Sequence, residues 1–186
     1  DEWLALLKSL LPDGAPVRRV PTHVHDDRLL GGLDLVATLR AGRPISEKGL
    51  LTLADGGLVI VAGAERVTSL VAARLATASE SGEVLVERDG VTTRTPSRFV
   101  VAALDEGSAD DERPSAVLLE RLAYLLELDH VALRDTFEAT VDPEAVAAAR
   151  DLLPNVAIDD ACVEALCSTA LALGVTSMRA SLFAVK

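Results

Sequence analysis

The chain has 186 residues and a formal net charge of −11, with 49% hydrophobic, 25% charged and only 3% aromatic residues. This is the composition of a folded domain with a Leu, Val and Ala core, not of a disordered or fibrous chain. The negative charge repels phosphate backbones and anionic lipid heads, which argues against nucleic acid or a membrane surface as principal partner and favours a basic protein surface. No apolar run approaches the roughly 18 to 20 residues of a membrane span, and Asp1-Glu2-Trp3 lacks the order of a signal peptide. The expected location is the cytoplasm, or the chloroplast stroma of a plant.

Taken in chain order, Trp3 to Leu11 has apolar residues at helical spacing and is closed by Pro12-Asp13-Gly14, so a helix is predicted there. Val17 to Val20 reads as a short strand, and Arg28 to Leu39 as a helical or mixed segment interrupted by Gly31-Gly32. Gly49 to Ala54 reads as a short helix, followed by the run Leu58-Val-Ile-Val61. Unbroken apolar residues between turn formers predict a strand covered on both faces, as in a parallel sheet.

Arg66 to Ala78 is helical in spacing. Two alternating runs around Asp89-Gly90, from Val84 to Arg94, predict a β-hairpin. Phe99 to Leu104 is a further buried strand, Asp105 to Pro114 an acidic loop, Ser115 to Leu122 a short helix, and Tyr124 to Leu128 another strand. From Asp142 the character becomes helical: Pro143 to Leu153 begins with an Asp cap and a Pro at the first helical position, Asp159 to Leu173 follows, and Ser177 begins a third helix. The whole reads as an α/β part followed by a small helical part.

Few residues outside these elements suggest chemistry. Cys162 and Cys167 lie five apart on a predicted helix, which points them about 140° apart around the axis; they read as two buried or half-buried free thiols. His23-Val-His25 points two imidazoles one way if extended, but no further ligands follow at metal spacing, so a metal role is set aside. His130 is isolated and reads as the end of a strand. Asp105, Glu106, Asp110, Asp111 and Glu112 read as a flexible acidic loop, because Mg²⁺ prefers one or two fixed carboxylates plus phosphate and water.

The ordered series Asp27-Arg28-Leu-Leu-Gly31-Gly32-Leu33-Asp34-Leu35, Gly42, Gly49-Leu50-Leu51 and Ala54-Asp55-Gly56-Gly57 resembles the AAA+ modules of magnesium chelatase. So do the later Val86-Glu87-Arg88-Asp89-Gly90, Pro96-Ser-Arg98-Phe99, Arg113-Pro114 and Leu118-Leu119-Glu120-Arg121. The resemblance spans nearly the whole chain. It implies a P-loop-type parallel sheet flanked by helices over residues 1–140, with an insert at 31–49 and a β-hairpin at 83–95, and a small all-helical lid over 141–186. The phosphate-cradling loop Gly-x-x-x-x-Gly-Lys-Ser/Thr is not found in these residues, and the resemblance implies that it and the first strand lie upstream.

In the active, I-type subunit the strand matching Leu58 to Val61 ends in Asp-Glu, one carboxylate supporting the nucleotide's Mg²⁺ and the other polarising the attacking water. Here those positions are Ala62 and Gly63, and the next strand leads to Asp105-Glu106 where an Asn would orient the water. The resemblance therefore points to the D-type subunit, whose nucleotide site is degenerate, with no catalytic residue of its own. Arg121 then falls in the arginine-finger region, Arg113 is a second candidate, and Arg179 matches the lid's sensor arginine. The implied role is a platform and coupling partner. It assembles with the ATPase (I) subunit in a ring and works with the porphyrin-binding (H) subunit to insert Mg²⁺ into protoporphyrin IX, for chlorophyll or bacteriochlorophyll synthesis. ATP and Mg²⁺ are used by the complex, and no cofactor is expected to be held firmly by this chain. Two alternatives remain at this stage: an active ATPase using acids from unexpected positions such as Glu65, and a scaffold outside chelation sharing only the ring fold.

Overall fold

The computed structural model describes residues 2–88, 91–109, 111–128 and 141–177. The chain divides into two compact units, residues 13–121 and residues 1–12 with 122–186. The predicted third helix from Ser177, the hairpin tip Asp89-Gly90, and Asp110, His130 and Arg179 fall outside the described residues, apart from Ser177 itself.

The second unit contains helix α1 (Glu2–Ser9). The first unit opens with β1 (Val17–Val20), α2 (Asp26–Leu30), β2 (Gly31–Leu33), α3 (Leu35–Ala41) and β3 (Ser46–Lys48). It continues with β4 (Gly57–Ala62), α4 (Ser69–Ser81), β5 (Glu83–Arg88), β6 (Val91–Pro96), β7 (Phe99–Leu104) and α5 (Ala116–Leu119). Helices α6 (Pro143–Leu152) and α7 (Asp160–Ala172) lie in the other unit.

The central sheet is parallel, in the order β1-β4-β7, with Arg19 beside Ile60 and Ile60 beside Ala102. Every side chain from Leu58 to Val61 is at most 2% exposed, as the unbroken apolar run requires of a strand covered on both faces. Val59 and Val61 pack into one cluster with Val71, Ala72, Leu75 and Ala78 of α4, while Leu58 and Ile60 are buried outside that cluster. Full burial is worth about 1.5–3 kcal/mol for each such side chain, so this strand is the stability centre of the unit.

Helix α4 starts three residues later than the apolar spacing suggests. Gly63 turns the chain into a 3-10 turn at Ala64–Arg66, and the Thr68 hydroxyl then caps the helix by accepting the Val71 N–H. The ambiguous 28–39 segment resolves into α2, β2 and α3. β2 and β3 pair antiparallel, making the 31–49 insert a small ribbon carrying one helix. Its root is pinched: a Cβ on Gly31 would collide with the Glu47 carbonyl, and one on Gly49 with the Gly31 backbone nitrogen. β5 and β6 form the predicted hairpin, with Arg88 opposite Val91.

One predicted strand is not formed. Tyr124 to Leu128 has no regular structure, and Tyr124 is 85% exposed. Alternating or apolar residues alone do not make a strand without a partner to complete its ladder, and none of the described strands pairs with this segment.

In the other unit, Asp142 and Asp159 cap α6 and α7 by accepting the N–H groups of Glu144 and Cys162, and Arg150 donates to the Leu10 carbonyl at 2.6 Å. Both cysteines are exposed, which corrects the expectation of buried thiols: α7 has no buried residue. The Asp159 carboxylate beside Cys162 holds that thiol above its usual range. Among the described residues no helix is long and apolar enough to cross a membrane.

Candidate functional site

In an open parallel α/β sheet, ligands gather at the carboxyl ends of the strands, where the chain leaves the ladder. Here that edge is built from the turns after β1, β4 and β7. β4 ends in Ala62, half-buried, and Gly63, buried in the left-handed region with φ +61°. A Cβ on Gly63 would lie 3.5 Å from Thr22 Cγ2, so the β1 and β4 turns touch here at ordinary contact distance. What keeps a side chain from this position is the backbone conformation, not crowding.

Two residues on, the 3-10 turn swings Glu65 back over the edge, where its side chain is only 1% exposed. Its Oε2 accepts the Glu106 N–H at 3.0 Å. Oε1 has no hydrogen bond and faces Arg66 Nε at 3.1 Å as an ion pair. Burial pushes this carboxyl's pKa up, but the Glu106 and Glu65 N–H groups, the Arg66 charge and Asp105 outweigh it and hold the group below its usual value. Glu65 is therefore an ionised clasp between the ends of β4 and β7. Its position three residues past the strand was visible in the sequence; the Glu106 N–H that occupies it was not.

The acidic loop is also internally engaged. Asp105 Oδ1 accepts the Gly107 N–H at 3.1 Å and Glu112 Oε2 accepts the Ser108 N–H at 3.2 Å. His23 and His25 are exposed, and among the described residues no group of three or more His, Cys, Asp or Glu side chains could hold a metal ion. At the carboxyl end of β4, Ala62 offers a methyl group and Gly63 no side chain, while Glu65 accepts the Glu106 N–H through Oε2.

Of the two candidate arginines among the described residues, Arg121 is the more buried. Its side chain is 17% exposed, Nη1 donates to the Val117 carbonyl at 2.8 Å, and Nη2 donates to Glu80 Oε2 at 3.3 Å. Its Nε is buried without a hydrogen-bond partner. The pair with Glu80 ties the turn after α5 to α4, a contact between residues 41 apart that spacing did not reveal. Arg113 is exposed beside buried Pro114.

This is an open parallel α/β domain with the fold of solved magnesium-chelatase subunits. A structure of the complex between the BchI and BchD subunits of magnesium chelatase, built into a 7.5 Å cryo-EM reconstruction, matches 91% of this chain and 68% of its own with TM-score 0.52 and 25% identity. The chain is homologous to magnesium-chelatase subunits of more than one size class. It is 39% identical over 192 residues to the magnesium-chelatase 60 kDa subunit of Cereibacter sphaeroides, covering 98% of this chain and 31% of that protein. It is 28% identical to the 67 kDa subunit of Chlorobaculum parvum, over 95% of this chain and 31% of that protein. It is 27% identical to the 38 kDa subunit of Rhodobacter capsulatus, over 97% of this chain and 58% of that protein. The chain thus spans about a third of the 60 and 67 kDa relatives and over half of the 38 kDa one. No protein-family profile matches it.

Proposed function

We propose that this chain is the AAA+ part of a D-type, non-hydrolysing subunit of magnesium chelatase. It acts as platform and coupling partner for the ATPase subunit during ATP-dependent insertion of Mg²⁺ into protoporphyrin IX. The observation that carries this reading is the carboxyl end of β4, where Ala62 and left-handed Gly63 can neither ligate a metal nor accept a proton. The higher identity to the 60 kDa than to the 38 kDa relative supports the same assignment. An ATPase using Glu65 as its acid is disfavoured, because that carboxylate already accepts the Glu106 N–H.

In this reading the helices of 141–186 serve as the lid. Arg121 or Arg113 is offered to a nucleotide held by a neighbouring subunit, where a guanidinium stabilises charge developing on the γ-phosphate. Arg179 would act as the lid's sensor.

The test uses the full-length protein, the ATPase subunit and the porphyrin-binding subunit, with Mg-porphyrin fluorescence as readout. Chelation is expected to require this protein, and the protein alone is expected to release no phosphate from ATP above a blank. Chelation unaffected by leaving it out overturns the assignment, and ATP turnover by the purified protein overturns the non-hydrolysing role.

A further inference from the structure

The helix of the 31–49 insert is built the wrong way round for a solvated helix. Its half-buried positions are Ala37 and Thr38, while Leu35, Val36 and Leu39 are 66%, 61% and 83% exposed. Residues 35 and 39 are one turn apart and 36 lies beside them, so the three form a single apolar stripe. A surface helix normally turns such a stripe to the core.

The helix is nevertheless well fixed. Asp34 caps it by accepting the Ala37 N–H at 2.8 Å, and Gly42 closes it in the left-handed conformation. Thr38 Oγ1 accepts the Ile45 N–H at 2.9 Å, and the Asp34 N–H donates to the Ile45 carbonyl at 2.8 Å. A rigid element that presents large apolar side chains to water marks a protein contact.

Charge narrows the occupant. From Leu35 to Ile45 the sequence carries Arg40 and Arg43 and no carboxylate, in a chain of net charge −11; both arginines are exposed. A symmetric contact with a second copy would set these arginines against themselves. A separate cavity of about 170 Å³ lies at the insert's root, lined by Leu30, Leu33 and Lys48 and by Val86, Thr93 and Thr95 of the hairpin.

Resting on the functional reading above, we infer that the outer face of α3 docks the ATPase-type subunit through an apolar patch bordered by carboxylates. Leu39 is the central anchor, and Arg40 and Arg43 form the charged rim.

The test measures the affinity of the full-length protein for the purified ATPase-type subunit, for wild type, Leu39→Glu and the double variant Arg40→Glu with Arg43→Glu. Each variant is first melted to confirm the fold; if Leu39→Glu melts below wild type, Leu39→Ser replaces it. Both variants are expected to weaken binding about tenfold or more. The deficit of the arginine variant is expected to shrink in high salt while that of the leucine variant persists. Wild-type binding matched by both variants overturns the docking face and leaves the functional reading standing. Absence of wild-type binding overturns both. Loss of self-association alone, seen by sedimentation, assigns the face to a second copy and overturns the inference.

Discussion

The Glu65 carboxylate accepts the backbone N–H of Glu106 at 3.0 Å, joining the turn after β4 to the turn after β7. Replacing Glu65 by Ala removes this clasp from a side chain that is 1% exposed. A loss of about 1.5–2 kcal/mol is expected, the lower part of the range for hydrogen bonds to charged groups, because Glu106 lies at the surface. The sign of the pH dependence follows from the lowered pKa. A carboxyl held below its ordinary value of 4.5 contributes stability that is present above the unfolded value and is lost as pH falls through the folded one. The melting difference between wild type and Glu65→Gln should therefore be steady near neutral pH and close as the medium becomes acidic. A difference that widens in acid would contradict the ionised clasp.

Gly63 should resist substitution for conformational reasons alone. With φ +61° and ordinary contact distances around a built Cβ, Gly63→Ala is expected to cost about 1–2 kcal/mol in urea unfolding. Gly63→Asn should cost less, since Asn enters the left-handed region more readily. Equal costs would show that crowding governs the site.

Arg121 and Glu80 can be separated by function. Arg121→Ala removes both the Glu80 pair and the Val117 carbonyl bond, while Glu80→Gln keeps the guanidinium and the Val117 bond and takes away the facing negative charge. If the guanidinium serves a neighbour's nucleotide, Arg121→Ala should lower ATP turnover of the mixed complex and Glu80→Gln should leave it near wild type. An equal drop in both would confine Arg121 to holding the turn after α5 against α4.

Ser97 is fully buried and its hydroxyl donates to the Leu51 carbonyl at 2.8 Å. Ser97→Ala removes this buried bond and leaves the carbonyl with the Ala54 N–H alone, so unfolding should come about 1 kcal/mol easier with an unchanged denaturant slope. A neutral result would mean that the Ala54 N–H alone satisfies the Leu51 carbonyl.

Local chemistry explains what the sequence disclosed. Leu58 to Val61 was legible because a strand buried on both faces needs no alternation, and the Val84 to Arg94 hairpin because its two runs flank an Asp-Gly turn. The end of that strand at Ala62-Gly63 was legible from the glycine that follows the apolar run. What stayed hidden depends on contacts distant in sequence. Tyr124 to Leu128 looked like a strand but pairs with none of the described ones. Cys162 looked like core but lies on a helix with no buried residue. The partners of Glu65 and Arg121 are each 41 residues away, beyond the reach of any spacing rule.

The pinched root of the insert also has a mechanical meaning. Immediately beyond Gly31 and Gly49, the Leu50 and Leu51 N–H groups donate to the Arg28 and Leu29 carbonyls, and Leu29 and Leu51 are wholly buried. With no slack loop at the base to absorb a displacement, a force applied to the outer helix is carried as through a bracket into two leucines of the interior.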